Sequence, residues 1–317
     1  MLRRPGPVLA LLAIAALVVM VLFMTIKARG AWDFVLPFRG RKLAALLVVG
    51  HAVAVSTVLF QTVTANRILT PSIMGFDALY VLVSTALVFF FGATRLTTLD
   101  PQLKFAIDVI LMALFAALLF RWLFSGGTRS LHLLVLVGIV FGILFRSLNS
   151  FMQRMIDPNE FDVLQDVLFA SFNAVDETLL GISAVAIVVV SVLVWRERHA
   201  LDVLSLGRDH AINLGLDHRR AVTRILFLVT ILVSVSTALV GPVTFFGLLV
   251  ANLAWQVAGS ARHVHVLPVA VLLAAIALVG GQLVLERVFA LNASLSMVIE
   301  FIGGVVFIAL LVRRGQQ

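Results

Sequence analysis

Long apolar runs separated by short polar breaks dominate the chain, at 8–26, 43–64, 76–94, 105–124, 131–149, 178–195, 221–240, 243–258, 266–286 and 296–312. Each holds roughly 15–23 residues, which suits a helix rising 1.5 Å per residue through a hydrocarbon core of about 30 Å. The pattern predicts an all-α polytopic membrane protein of about ten transmembrane helices, built as a single domain over 1–317. The run at 243–258 is short and glycine-rich and predicts a partial or tilted helix. The first run follows Arg3 and Arg4 but is longer than a signal-peptide apolar core, so a retained first helix is expected. Two longer polar stretches interrupt the series. Residues 150–177 carry Asp157-Pro158, Glu160, Asp162, Asp166 and Asp176 and predict short amphipathic helices at an interface. Residues 196–220 form the second stretch.

Composition agrees with a lipid environment: 62% of the residues are hydrophobic and 13% charged, against about half and a quarter in soluble domains. The net charge of +8 then points to anionic headgroups and topology signals and not to nucleic acid. The absence of cysteine excludes disulfides, iron–sulfur clusters and thiolate zinc sites. No histidine pair has metal-binding spacing on a predicted helix, and His263 and His265, beside Arg262, are expected in a solvated loop. Neither a metal site nor a cofactor is expected. With both termini inside, the Lys/Arg bias has the expected sign but is small. The first external loop weakens it, because 27–42 holds Lys27, Arg29, Arg39, Arg41 and Lys42. Asp108 and Arg146 lie near helix ends and are expected to snorkel to the interface.

Particular polar and small residues interrupt the apolar pattern. In DVLSLGRDHAINLGLD at 202–217, Leu206, Gly207, Ala211, Leu214 and Gly215 make an L-G-x-x-x-A-x-x-L-G series whose glycines break one amphipathic helix into two. Two short helices across a membrane face are suited to receive force from a partner. Upstream stand Gly50, Ala54, Ser56, Gln61, Asn66, Pro71 and Gly75. The run at 131–151 carries Gly138, Gly142, Ser147 and Ser150, and 241–260 carries Gly241, Phe245, Phe246, Gly247, Leu248 and Gly259. The last run carries Ser296, Glu300, Gly303 and Phe307. In this order the segments resemble the FecCD-type permeases, the BtuC-like type II ABC importer permeases for ferric siderophores and related chelates. The chain departs from that family at Arg67, Ile68, Leu69 and Thr70 (usually P-L-A-D), at Ala251-Asn252 (usually P-H), and at Trp255 (usually Arg). Ser294 and Val305 stand where the family has prolines.

The resemblance implies a permease subunit of the cytoplasmic membrane that imports a ferric siderophore, with the divergent stretches pointing to a catecholate or petrobactin-like one. It implies two ATPase subunits docking on the coupling segment 198–217, a second permease subunit (a heterodimer is favoured over a homodimer) and an external binding protein. The chain has no G-x-x-x-x-G-K-[ST] motif, so the ATPase is expected on another polypeptide. Arg41 stands where the family offers an outward arginine, and together with Arg39 it is expected to meet carboxylates of the binding protein. Gln61 must find a hydrogen-bond partner at membrane depth, and a structural bond between helices is favoured over substrate contact. Gln61, Asn66, Gly138, Gly142, Ser147, Glu300 and Gly303 are candidates for the pathway or for packing. Glu300 in an apolar run costs about 2.5–3.5 kcal/mol if unpartnered, so it pairs or faces a watery cavity. Cobalamin or haem import is the alternative within the family. An ion-coupled secondary transporter is the alternative outside it, although paired intramembrane carboxylates and inverted repeats, its usual marks, are not evident.

Overall fold

The computed structural model describes residues 5–26, 31–125, 131–168, 171–173 and 175–287. Glu300, Gly303 and the final apolar run 296–312 lie outside the described residues, as do Lys27 and Arg29. Every regular element described is helical. The order is α1 (Pro5–Thr25), α2 (Trp32–Thr64), a 3₁₀ turn (Pro71–Met74), α3 (Phe76–Phe91), α4 (Ala93–Thr98), α5 (Pro101–Ser125), α6 (Leu131–Gln153), α7 (Pro158–Leu168) and α8 (Glu177–Arg196). It continues with α9 (Arg198–Leu204), α10 (Arg208–Asn213), α11 (His218–Val240), α12 (Thr244–Val257) and α13 (His263–Arg287). Of these, seven are long and apolar enough to cross a membrane, and α3 and α12 are shorter apolar helices. The expectation of about ten spanning helices therefore exceeds what the described residues contain.

Helix α2 is the post of the bundle. Its 33 residues extend about 50 Å, well beyond a hydrocarbon core. It packs on α8, α11, α12 and α13. Small residues allow this, since Ala45, Ala52 and Ala54 are fully buried and Gly50 faces Ala274 and Leu278 of α13. By contrast α1 is peripheral: it lies against α13 and exposes Leu11, Ile14, Leu17, Val18 and Val21. The 150–177 stretch does contain a short amphipathic helix, α7, which buries Leu164 against Val88, Ala93 and Leu96. Asp176 then caps α8 by accepting from the Leu179 amide at 2.9 Å.

Two helices start inside the bundle. After α2 the chain turns at Ala65, in the left-handed region at φ 50°, and doubles back through the 3₁₀ turn to Gly75 at φ 91°. There the backbone meets Gly142, the middle residue of α6, and a Cβ on Gly75 would lie 3.0 Å from the Gly142 Cα. Gly138, one turn earlier, faces Met74. The G-x-x-x-G of α6 is thus a notch for a returning backbone. Gly138 and Gly142 are buried, whereas Ser147 and Ser150 lie on the exposed side with Leu136, Val140, Leu144 and Leu148, so the four do not form one small-residue face. Helix α12 also starts at depth, with Gly247 packed directly on Thr57 of α2. A small cavity of ≈ 20 Å³, the size of about one water, lies between the two starts, where Thr57, Ser72 and Asp77 meet Val49, Val53 and Val233.

Asp108 does not snorkel. It is 1% exposed and takes an ion pair from Lys104 at 2.8 Å, one helical turn away, while the same ammonium lies 4.8 Å from the Tyr80 ring. A carboxylate inside the bundle is tolerated because its counter-charge is supplied by its own helix. Arg146 remains exposed.

The notch is testable. A methyl group on Gly138 would sit 2.9 Å from the Met74 Cα, which is backbone and cannot swing aside. Gly138→Ala should destabilise the detergent-solubilised protein by about 1–3 kcal/mol through overpacking. An unchanged thermal midpoint would show that the turn does not depend on the notch.

A candidate coupling surface and the polar network behind it

The segment that the sequence marks for coupling folds into two short helices with two faces. Leu201, Leu204 and Ala211 point inward and are at most 5% exposed. Leu206, Ile212 and Leu214 point outward and are at least 50% exposed. Gly207 separates α9 from α10 at φ 98°, ψ 165°, a backbone region open in practice only to glycine. Gly215 at φ 81° closes α10, with its amide bonded to the Ile212 carbonyl at 2.9 Å. Nothing lies within 4 Å of a Cβ on either glycine, so conformation and not space selects them. The segment is fixed to the bundle by Arg224 on Glu197 at 2.9 Å and by Asp217, which caps α11 at the Arg220 amide at 3.1 Å. Three large apolar side chains among Arg208, Asp209 and His210, past the end of a spanning helix, form a surface suited to a protein partner.

Directly behind this hairpin lies a polar network. Gln61 is 2% exposed, donates to the Arg67 carbonyl at 2.7 Å and accepts from the Trp255 indole at 3.1 Å. Asn252 donates to the same Arg67 carbonyl at 2.9 Å. The Arg67 guanidinium lies 4.6 Å from the Trp255 ring, a cation–π contact. Asn66 organises the turn by accepting from the Ile68 amide at 2.9 Å. Gln61 therefore holds helices together, and the residues at which the sequence departs from the family pattern, Arg67, Asn252 and Trp255, meet at one place. They form a matched set: the cation sits on the loop and the aromatic ring on α12.

The same network corrects the expectation for His263. It is the first residue of α13 and 0% exposed. Its Nδ1 and its backbone amide both lie 2.7 Å from Asp202 Oδ1 on α9, and its Nε2 lies 2.8 Å from the Thr62 hydroxyl on α2. Its ring stands edge-on to Trp255 at 5.5 Å. Residues 61 and 201 positions apart share no local pattern, so sequence spacing could not join them. The sole hint was that Trp255 and Asn252 break the family pattern nearby.

At the opposite end of α2 the basic cluster is largely used within the fold. Arg39 places one guanidinium nitrogen 2.9–3.1 Å from the carbonyls of Phe23, Met24 and Ile26, which terminate α1. Arg287 reaches the Ile26 carbonyl at 2.8 Å. Cations at the carbonyl end of a helix offset its dipole and its unsatisfied acceptors. Lys42 is 8% exposed and paired with Glu286 at 2.7 Å, and Glu286 also accepts from Gln282. Arg41 is half exposed and meets the open Glu177 at 3.4 Å. The pair expected to face a partner is thus divided, with Arg39 turned onto α1 and Arg41 turned outward.

The architecture, many apolar helices with a glycine-broken hairpin at one end, is that of a membrane permease. The profile of the FecCD transport family matches residues 8–313, and the chain belongs to that family. It is 48% identical to the petrobactin import system permease protein YclO of Bacillus subtilis (strain 168) over 309 residues, covering 98% of both chains. It is 37% identical to the petrobactin import system permease protein FatC of Bacillus anthracis over 272 residues, covering 86% of this chain and 77% of that one. The fold matches a solved metal-chelate type ABC transporter in an inward-facing conformation with a TM-score of 0.84, over 97% of this chain and 99% of the other, at 22% identity. The chain is a multi-pass permease of the cytoplasmic membrane.

The network makes a stability prediction. Gln61→Leu leaves the Trp255 indole N–H without its acceptor in a buried site, which costs about 1–3 kcal/mol. Thermal unfolding of the purified protein should shift down accordingly, and a midpoint equal to wild type would remove Gln61 from the framework.

Proposed function

We propose that the chain is one permease subunit of an ABC importer that carries a ferric siderophore of the petrobactin class into the cell. The observation that carries this reading is the 48% identity over 98% of both chains with a petrobactin import permease. In this reading residues 1–317 form one domain of about ten spans. Two ATPase subunits dock on α9 and α10 at the cytoplasmic face, and a second, different permease completes the pathway. A binding protein delivers the chelate at the outer face, where the α1–α2 and α13 ends meet. The exposed side of α6, with Ser147 among Leu136, Val140, Leu144 and Leu148, is the candidate face towards the pathway or the second permease. Glu300 and Gly303, outside the described residues, are kept as candidates for the pathway or for packing on the family resemblance alone.

The reasoning is electrostatic and mechanical. Leu206, Ile212 and Leu214 supply an apolar contact that an ATPase groove can bury, and the glycines set its shape. ATP binding draws the ATPases together and displaces the hairpin, and the helices behind it tilt between outward and inward openings. Docking of the binding protein is kept for Arg41, the outward member of the pair, whose planar fork suits a carboxylate. The direct test is uptake of ⁵⁵Fe-labelled petrobactin by cells whose own petrobactin permease is deleted and replaced by this chain. Saturable, ATP-dependent uptake is expected. Uptake of cobalamin or haem in its place would overturn the substrate assignment.

Two residue-level outcomes follow. Gly207→Leu forces a branched residue into a glycine-only conformation, at a cost of order 1–3 kcal/mol, and should abolish uptake at normal membrane abundance. Normal uptake in that variant would remove the hairpin from coupling. Arg41→Glu should weaken binding-protein affinity about threefold at low salt, within the range of exposed ion pairs, and less at physiological salt because of screening. An unchanged Kd at low salt would end the docking role.

A further inference from the structure

We infer that Asp202, His263 and Thr62 form the joint through which displacement of α9 reaches the central helix α2, so that His263 is a positioning residue for transport. The inference rests on the coupling role proposed for α9 and α10 and assigns the path by which their motion enters the bundle.

The geometry is specific. One carboxylate oxygen of Asp202 accepts both the backbone amide and the ring Nδ1 of His263, at 2.7 Å each. These two bonds fix the ring relative to its own backbone as well as to α9. The far nitrogen, Nε2, meets the Thr62 hydroxyl at 2.8 Å. Because an ionised carboxylate only accepts, Nδ1 carries a proton. Thr62 then completes the chain in either state of the ring. Its hydroxyl donates to a neutral Nε2, or it accepts from Nε2–H while donating to the Val58 carbonyl at 2.9 Å. The joint therefore holds without an orphaned polar atom. The imidazole is 0% exposed, so water does not reach the ring, while the Asp202 carboxylate is 26% exposed on the α9 side.

Its surroundings make it stiff. Trp255 stands perpendicular to the ring at 5.5 Å and is itself tied to Gln61, the residue before Thr62. Consecutive residues of α2 are thus held by α12 through Trp255 and by α13 through His263. A push on α9 is delivered to the end of α2, and α2 packs on α8, α11, α12 and α13. Apolar packing of Leu201 and Leu204 is a parallel route by which α9 contacts the bundle. Lacking direction, such packing can slide, whereas three directional bonds to one residue, two of them to its ring, fix register.

The test separates the two routes by variants that keep shape. The complete transporter, with its ATPase and binding protein, is reconstituted in proteoliposomes, and ⁵⁵Fe-petrobactin uptake and ATP hydrolysis are measured together. Thr62→Val removes the hydroxyl at nearly constant volume, Asp202→Ala removes the other end, and Thr62→Ser restores the hydroxyl. Chelate moved per ATP hydrolysed should fall about tenfold in Thr62→Val and in Asp202→Ala, the scale of one hydrogen bond, and should stay near wild type in Thr62→Ser. A merely structural role would lower assembly and both activities in proportion and leave the ratio unchanged. An unchanged ratio in Thr62→Val overturns the joint, even if Asp202→Ala does not assemble. Gly207→Leu is measured alongside. If it lowers the ratio while Thr62→Val does not, the joint alone fails; if it too leaves the ratio unchanged, the coupling role of the hairpin fails with it.

Discussion

A chain that turns inside a bilayer must satisfy its peptide groups from within the protein, because lipid offers them nothing. This constraint organises the molecule. Two helices, α3 and α12, start inside the bundle after an interruption, one following α2 and one following α11. At the first break the Arg67 carbonyl is taken by both Gln61 and Asn252, and the turn at Asn66 is closed by its own side chain. Where the chain returns at Gly75, it lies against the glycine notch of α6. At the second break Gly241 takes a positive φ and Gly247 admits Thr57. Gln61, Asn66 and Asn252 thus serve the first interruption, while small residues such as Gly50 let the long helices pack closely.

The end of α2, at the first interruption, lies next to the α9–α10 hairpin, and α12 runs from the second interruption towards it. Trp255 belongs to the helix that follows the second break, Gln61 to the helix that precedes the first, and His263 links both to α9. Under the proposed coupling role, force applied at α9 and α10 meets the bundle at the end of α2. The other end of the bundle is built for rigidity. There Arg39 and Arg287 terminate α1, and the Lys42–Glu286 pair joins α2 to α13. One end tied by ion pairs and carbonyl contacts and another jointed at α9 fit the proposed drive through the hairpin.

Apolar periodicity carries well in the sequence because a bilayer imposes it on every span. Each run from 8–26 to 266–286 overlies a helix. The glycine-broken hairpin was equally legible, since Gly207 and Gly215 occupy conformations that demand glycine. What could not be read was side-chain direction. Arg39 and Arg41 are expected as a docking pair from the family pattern and their guanidinium forks, yet Arg39 turns onto helix carbonyls. His263 looked like a loop residue because its partners are distant in sequence. Asp108 looked interfacial because it lies near a helix end; that the face it shares with Lys104 turns into the bundle is set by the neighbouring helices. In each case the missing information was a long-range contact or a rotamer, which hydropathy does not encode.

The measurement that bears most directly on this account is a pair of structures of the complete transporter in lipid, one nucleotide-free and one trapped with ATP. The account predicts that α9 shifts between the two states, that the end of α2 shifts with it, and that the Asp202, His263 and Thr62 bonds stay within hydrogen-bond distance in both. A displaced α9 beside a stationary α2, with the His263 bonds broken, would contradict it.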